Sequence, residues 1–408
     1  MFNEFEVIPS IIGILVLVIP SLIFGKLCSH FKISEVIGFV IAGIIFGPFA
    51  IGGIIPFYDK PLVVLDDLVM SFWQISGIII LFAAGLHFTF HDLQKAGFKS
   101  TVVGIGGIVT PLTIGFFVSV LLGFDWIVSV LIGTALSATS IVISVTILDE
   151  LKKEKTNEGN ILVNAAVLDD VLGLAILSAV VSIIISNSIP NIETVFLNTV
   201  EAISFWFLVL LGSVFILPKI VHAVSITRPS SLESRGTNQA IALGSAFGIA
   251  AIAGSIGLNP IVGAFAAGMG LAGSKFVLQI REFVGRLKVM FAPLFFAIMG
   301  AHVEIGKIGE VDWIIFFIIL TIATLSKIIG CGLPASVILK SKQHGLRVGY
   351  GMIARGEIAF ITAGFGLSYG IFNDGIYSTL IFVILGTILI SATLLRNSFG
   401  SKNNEIIG

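Results

Sequence analysis

Charge is what this chain has least of. Of its 408 residues only 12% are Asp, Glu, Lys or Arg, about half the roughly 25% of an ordinary soluble domain. Hydrophobic residues make up 56%, and the mean hydropathy is +1.09. No water-soluble core could absorb that much apolar surface, which excludes a soluble enzyme. The 23 basic residues nearly balance 24 acidic ones, so no net positive field invites a nucleic acid. Cysteine is as scarce: Cys28 and Cys331 fall in different apolar runs, and neither a disulfide between them nor a metal-binding spacing is expected. A Walker-type phosphate loop is missing. The start Met-Phe-Asn-Glu-Phe-Glu is acidic and lacks the basic region of a cleaved signal, so the first helix should be retained. No domain-sized polar stretch follows the last apolar run, so this chain should carry no nucleotide-binding domain, and no cofactor is expected.

What is present is a succession of apolar stretches of about 20 residues, each long enough to cross a hydrocarbon core of about 30 Å. The reading is an all-α polytopic membrane protein with about 13 transmembrane helices, at 7 to 25, 34 to 52, 65 to 86, 99 to 123, 126 to 148, 160 to 187, 197 to 222, 238 to 256, 259 to 274, 286 to 303, 313 to 340, 346 to 371 and 375 to 395. The short eighth and ninth spans, around Leu258-Asn259-Pro260, could be one broken helix. Charge decides against that. Lys and Arg collect on cytoplasmic loops, and with two crossings there, nineteen of the 23 basic residues fall on one side. Only Lys60 and Lys307 fall opposite, while Lys327 and Arg355 lie inside spans. The amino terminus is then outside and the carboxyl terminus cytoplasmic.

Two small-residue patterns recur in the same order. Ile37-Gly38-Phe-Val-Ile-Ala42-Gly43 in span 2 matches Val262-Gly263-Ala-Phe-Ala-Ala267-Gly268 in span 9, and Leu81-Phe82-Ala-Ala-Gly85 in span 3 is echoed by Phe295-Phe296-Ala-Ile-Met-Gly300 in span 10. The chain therefore divides into a first repeat at 1–187, a linking span and cytoplasmic loop at 188–237, a second repeat at 238–396 and a short tail at 397–408. Six helices, one linker and six more make the repeats inverted. That arrangement belongs to secondary transporters, whose sites lie at the midplane among broken helices.

The most informative residues are Asp169 and Asp170, inside the apolar run Ile161–Leu177. A carboxylate at mid-bilayer costs several kcal/mol, roughly +2.5 to +3.5 on insertion scales, unless it meets a wet cavity, a cation or a basic partner. Such a pair can hold a proton or a small cation, one excluding the other. Their side chains point about 100° apart on a helix, which leaves Asp169 free to pair with Lys327. At about 1.5 Å of rise per residue, Asp169, Asp170, Lys327, Thr139, Ser140, Arg355 and Glu357 all reach the same depth. Spans 5 and 12 occupy matching places in the two repeats, and Ser137-Ala-Thr139-Ser140 and Ala354-Arg355-Gly356-Glu357 suggest interrupted helices whose exposed ends need partners. Arg355 and Glu357, two apart, should answer different helix ends. Plainer readings remain open: Thr139 and Ser140 as ordinary backbone-bonded hydroxyls, Arg355 and Glu357 as structural groups, Lys327 snorkelling. His87, His302 and Glu304, at helix ends, are expected to be solvated.

Asn164-Ala-Ala-Val-Leu-Asp-Asp170, Ser326-Lys327-Ile-Ile-Gly330-Cys-Gly-Leu-Pro334, Met352-Ile-Ala-Arg355-Gly-Glu357 and Pro293-Leu-Phe-Phe together resemble the monovalent cation/proton antiporter superfamily, in its sodium/proton exchanger branch related to Kef-type transporters. The resemblance implies a homodimer with a dimer domain and a mobile core, and two crossed broken helices. It implies that Asp170 binds the cation or proton and that Asp169 pairs with Lys327 when the site is protonated or empty. The breaks at Thr139, Ser140 and Arg355 to Glu357 would flank that site. An Asp at 169, where Kef-type systems have Gln and electroneutral relatives Asn, favours electrogenic exchange. Phe39 and His87 stand where the pattern usually carries acids.

The expectation is a secondary antiporter in the plasma membrane, most consistent with a bacterial source, exchanging Na⁺ or Li⁺ for H⁺ through competition at Asp170. Asp170, Asp169 and Thr139 are the candidate oxygen ligands of the transported ion. The alternatives are a K⁺/H⁺ antiporter or Kef-like potassium efflux system using the same site, and an ion channel. An intramembrane aspartyl protease would need its two Asp on separate helices, so no enzyme is expected.

Overall fold

A computed structural model describes residues 4–31, 33–57, 60–87, 90–186, 192–220 and 232–400. Residues 221–231, at the end of span 7 and in the loop after it, and the tail from 401 lie outside the described residues. The chain runs through α1 (Glu4–His30), α2 (Glu35–Phe46), α3 (Asp67–Gly85), α4 (Phe90–Leu121), α5 (Trp126–Ser137), α6 (Ile141–Glu150), α7 (Asn157–Ser186), α8 (Ile192–Phe215), α9 (Leu232–Ser255), α10 (Pro260–Ala272), α11 (Val277–Ala301), α12 (Trp313–Lys327), α13 (Leu333–Ile338), α14 (Lys342–Gly351), α15 (Glu357–Ser368) and α16 (Asp374–Gly400). One two-stranded antiparallel ribbon, Pro56–Phe57 with Lys60–Pro61, follows α2. The molecule is thus an all-helical membrane protein. Eight of the described helical stretches are long and apolar enough to cross a bilayer.

Local chemistry sets where the helices begin. Asp66, Asp125, Asn259 and Asp312 each turn a side-chain oxygen onto a backbone N–H of the first turn of α3, α5, α10 and α12, at 2.9 to 3.1 Å. Such caps satisfy amides that hydrocarbon would leave unpaired. The doubtful stretch around Leu258 resolves into two helices. Gly257 takes φ +81 in the turn, Asn259 caps α10, and Pro260 sits at its first position, where the missing N–H is not needed. Two spans differ in detail from the sequence reading. Span 2 stops at Phe46, with a separate helical turn at Ile51–Ile54. Span 4 begins at Phe90 and bends at Gly97, whose backbone leaves the helical region.

The helices pack as two bundles. α1, α2, α3 and α9 to α11 form one, flanked by α8; α4 to α7 and α12 to α16 form the other. Of the apolar window within Trp126–Glu150, 94% is buried inside the protein, against 22% for Ile8–His30. The α5–α6 stretch is therefore central, and α1 presents its flank to lipid. In the first bundle, the motifs that repeat in the sequence meet one another. A Cβ on Gly43 of α2 would strike the backbone of Ala297 of α11, and one on Gly300 would strike Val40; Gly85 of α3 and Gly268 of α10 are in the same relation to Phe265 and Phe82. Small residues let helix backbones approach closely where lipid offers no hydrophobic drive. Gly43→Leu should therefore lower the thermal stability of the purified protein by about 1–3 kcal/mol, the usual range for overpacking. A melting curve indistinguishable from wild type would show that this crossing yields.

Candidate functional site

Both expected helix breaks are present. Between α5 and α6 the backbone is extended through Ala138, Thr139 and Ser140, and between α14 and α15 it unwinds through Ala354 to Gly356. The two breaks cross. Ser140 donates its N–H to the Ala354 carbonyl at 2.8 Å, Thr139 Oγ1 donates to the Met352 carbonyl at 3.3 Å, and Ser144 Oγ to that of Gly351 at 2.6 Å. Gly356 is required here, because a Cβ would collide with Ser140. The ends of four half-helices, with their partial charges, thus converge on one point inside the second bundle.

Charged side chains answer these ends. Asp169, 0% exposed, receives the Thr139 N–H on Oδ2 at 2.6 Å and the Lys327 ammonium on Oδ1 at 3.0 Å. Both carboxylate oxygens are engaged within the bundle. Arg355, fully buried, donates to the carbonyls of Ala323 at 3.0 Å and Met352 at 3.4 Å. Its own N–H bonds Thr387 Oγ1 at 3.2 Å. Arg355 thereby neutralises the carbonyl end of α14 and ties it to α12. The Arg355 Nε and the Ser140 hydroxyl, both buried, have no hydrogen-bond partner among the described residues. Glu357 opens α15, and its side chain lies outside the described residues.

Asp170, 2% exposed, faces the other bundle: the Asn259 amide, at the tip of α10, donates to its Oδ2 at 3.3 Å. Asn259 also lines a cavity of about 240 Å³ with Trp73, Leu258, Pro260, Phe295 and Ile361. The buried Nε1 of Trp73 has no partner among the described residues. An open space therefore ends one residue away from Asp170. At the opposite end of the molecule polar contacts tie the bundles together. Lys288 of α11 pairs with Asp149 of α6, and Ser34 donates to Glu150 at 2.9 Å. The cavity adjoins Asn259, the partner of Asp170, from the side of the Gly257 turn, while on the far side a smaller cavity of about 110 Å³ lies beside the Lys288–Asp149 pair.

Asp169, Asp170, Lys327, Thr139, Ser140 and Arg355 are thus all gathered within one bundle, with Asp170 turned toward the other. Lys327 does not snorkel: its ammonium is 0% exposed. Three contributors were not anticipated. Asn259 stood in the sequence only as a turn residue before Pro260. Gly107 of α4 makes room for the ion pair, since a Cβ there would lie 2.6 Å from Cys331 Sγ and 3.5 Å from both Asp169 Oδ1 and Lys327 Nζ. A π-helical turn at Ile328–Gly332 follows Lys327 directly, a distortion often found at functional sites. The Gly106-Gly107 and Gly330-Cys-Gly332 pairs were the available signals. His302 is a correction. Expected to be solvated, it packs between Trp73 and Phe360, 5.7 Å from each ring, and bonds the Ile298 carbonyl. Glu304 pairs with Lys307 at 3.1 Å.

The loop after α6 carries a pH-dependent group. Burial, then a hydrogen bond with Asp149, raises the Glu154 carboxyl to about 7 from 4.5. Between those values the folded protein keeps a proton that the unfolded chain has lost, so this contribution to stability is present below pH 4.5 and disappears as pH rises through 7. Burial lowers the neighbouring His87, which acts with the opposite sign, so the difference between wild type and Glu154→Gln isolates the effect. The melting temperature of wild type, relative to the variant, should fall between pH 5 and 7.5; a constant difference would remove Glu154 as its source.

The chain as a whole is similar to known proteins. It is 30% identical over 384 residues to the Na(+)/H(+)-K(+) antiporter GerN of Bacillus cereus, covering 94% of each chain. It is also 30% identical over 388 residues to a Na(+)/H(+) antiporter of Enterococcus hirae, covering 94% of this chain and 97% of that one. Its fold matches the sodium proton antiporter MjNhaP1 of Methanocaldococcus jannaschii with a TM-score of 0.69 at 16% identity, covering 96% and 97% of the two chains. Residues 14–396 match the family described as sodium/hydrogen exchanger, transmembrane, and the chain belongs to that family.

Proposed function

We propose that this protein is a secondary antiporter that exchanges Na⁺ or Li⁺ for H⁺, with Asp170 as the seat for which cation and proton compete. The observation that carries this reading is the placement of Asp170. It is a nearly buried carboxylate on one bundle that bonds Asn259 of the other, itself on the wall of a cavity, while on the far side Lys288 and Asp149 tie the bundles together. A carboxylate in such a place can be neutralised by either ion and by only one at a time, which couples the two fluxes. Thr139 and the Ser140 hydroxyl supply hard oxygens of the kind small cations prefer. Asp169, with both oxygens engaged, serves better as partner of Lys327 than as ligand in this arrangement. Movement of the second bundle against the first would close the cavity, part Lys288 from Asp149 and expose the seat on the other face.

Several finer features belong to the same proposal: electrogenic exchange through the Asp169–Lys327 pair, assembly as a homodimer, thirteen crossings in two inverted repeats, and a plasma-membrane location with the amino terminus outside. The reciprocal Gly43–Ala297 and Gly268–Phe82 approaches support the repeat, since each joins a pattern of one half to the echo of the other. Potassium is a second candidate substrate, because the relative from Bacillus cereus carries K⁺ in its name. In proteoliposomes with a clamped voltage, Na⁺ and Li⁺ should each drive proton movement that saturates and reverses with the pH gradient, and K⁺ should do so weakly or not at all. Proton movement driven by K⁺ alone would reassign the substrate, and ion flux without any proton movement would make the protein a channel.

A further inference from the structure

The contact between Asn259 and Asp170 joins the two bundles at the one residue on which exchange is proposed to depend. Asn259 belongs to the first bundle through α10, which packs on α3, α8 and α9; Asp170 belongs to the second through α7, which packs on α4, α5, α6 and α14. The Asn259 side chain is itself fixed. Its Oδ1 accepts the N–H of Ile261 at 2.9 Å, which points its amide nitrogen at Asp170 Oδ2, 3.3 Å away. The donor is therefore anchored to one bundle and the acceptor to the other, and sliding one bundle past the other must break the bond.

An amide N–H bonds a bare carboxylate better than a carboxylate already covered by a cation or a proton, because the charged acceptor gives the stronger bond. An antiporter has to prevent its empty seat from crossing, since an empty return lets either ion move without the other. We propose that Asn259 is a positioning residue that latches the empty Asp170 to the opposite bundle and so holds the unoccupied carrier in place until a cation or proton displaces it. This inference rests on Asp170 being the seat. A charge-assisted bond of this kind weights the empty crossing by roughly tenfold.

The test separates the latch from the helix cap, which the same side chain provides. Ser is a good cap and too short to reach Asp170; Thr is a second such choice, and Ala removes cap and latch together. In proteoliposomes, sodium flux and internal pH are recorded together for wild type, Asn259→Ser, Asn259→Thr, Asn259→Ala and Asp170→Asn. The Ser, Thr and Ala variants should move at least about twice as much sodium per proton as wild type, the detectable part of that roughly tenfold weighting. They should also pass protons down a gradient in sodium-free medium, whereas the Ala variant, which loses the cap as well, should melt at a lower temperature than the Ser and Thr variants. Wild-type coupling and no sodium-free proton leak in the Ser and Thr variants, beside an inert Asp170→Asn, would overturn the latch and leave the seat standing. Normal exchange by Asp170→Asn would instead remove the seat itself.

Discussion

Asp170→Asn is expected to reduce sodium-dependent proton movement in proteoliposomes to the level of protein-free vesicles. An amide has nearly the volume of the carboxyl it replaces, and its oxygen can still accept from Asn259, but it neither takes up a proton nor neutralises a cation. The protein should meanwhile remain folded. Exchanging a nearly buried charge for a neutral group of the same shape lifts a desolvation cost of several kcal/mol, so the melting temperature should be equal or higher. Activity and stability thus move apart, which no general folding defect produces. Retained exchange at wild-type rate would end the reading of Asp170 as the seat.

Lys327→Ala carries the second large effect, and here stability and function should fall together. Lys327 and Asp169 are both fully buried, 3.0 Å apart, and Asp169 also holds the Thr139 N–H at the break between α5 and α6. Removing one member of a buried pair leaves the other charge without compensation, at a typical cost of about 3–5 kcal/mol. The same substitution removes the basic group bonded to Asp169, so the charge moved per cycle should drop in a voltage-clamped flux assay. The double variant Asp169→Asn with Lys327→Met removes both charges. It should regain most of the stability, giving a coupling energy that the cycle of variants measures directly, without regaining the charge movement. Unchanged electrogenicity in Lys327→Ala would take Lys327 out of the coupling step, whatever its effect on stability.

These two predictions differ in how far they could be read from the residue order. That Asp170 matters was legible because a carboxylate in an apolar run has no inexpensive explanation, and depth follows from counting residues. The interruptions at Thr139–Ser140 and Arg355–Gly356 were legible for a related reason: polar residues and Gly at mid-depth oppose a continuous apolar helix. The role of Arg355 is a different case. That it donates to Ala323 as well as Met352 depends on α12 passing beside the break that follows α14, which no local pattern states. Asn259 was hidden for the same reason. Next to Pro260 it reads as a helix start, and it is one, but its second bond spans 89 positions. His302 was misjudged because a helix-end histidine is usually wet, whereas here Trp73 and Phe360 close over it.

Hydropathy, basic-residue asymmetry and two recurring glycine patterns determined, on their own, that this is a polytopic helical membrane protein with buried acids at mid-depth. Each is a property of a single segment in contact with lipid or water, and a segment carries that information wherever it lies. Which acid meets Lys327 and which meets the other bundle was decided only by tertiary structure. Two adjacent carboxylates are chemically equal until α4, α5, α10 and α12 are packed around them, and the direction in which each side chain is turned then gives one an ion pair and the other a contact with Asn259.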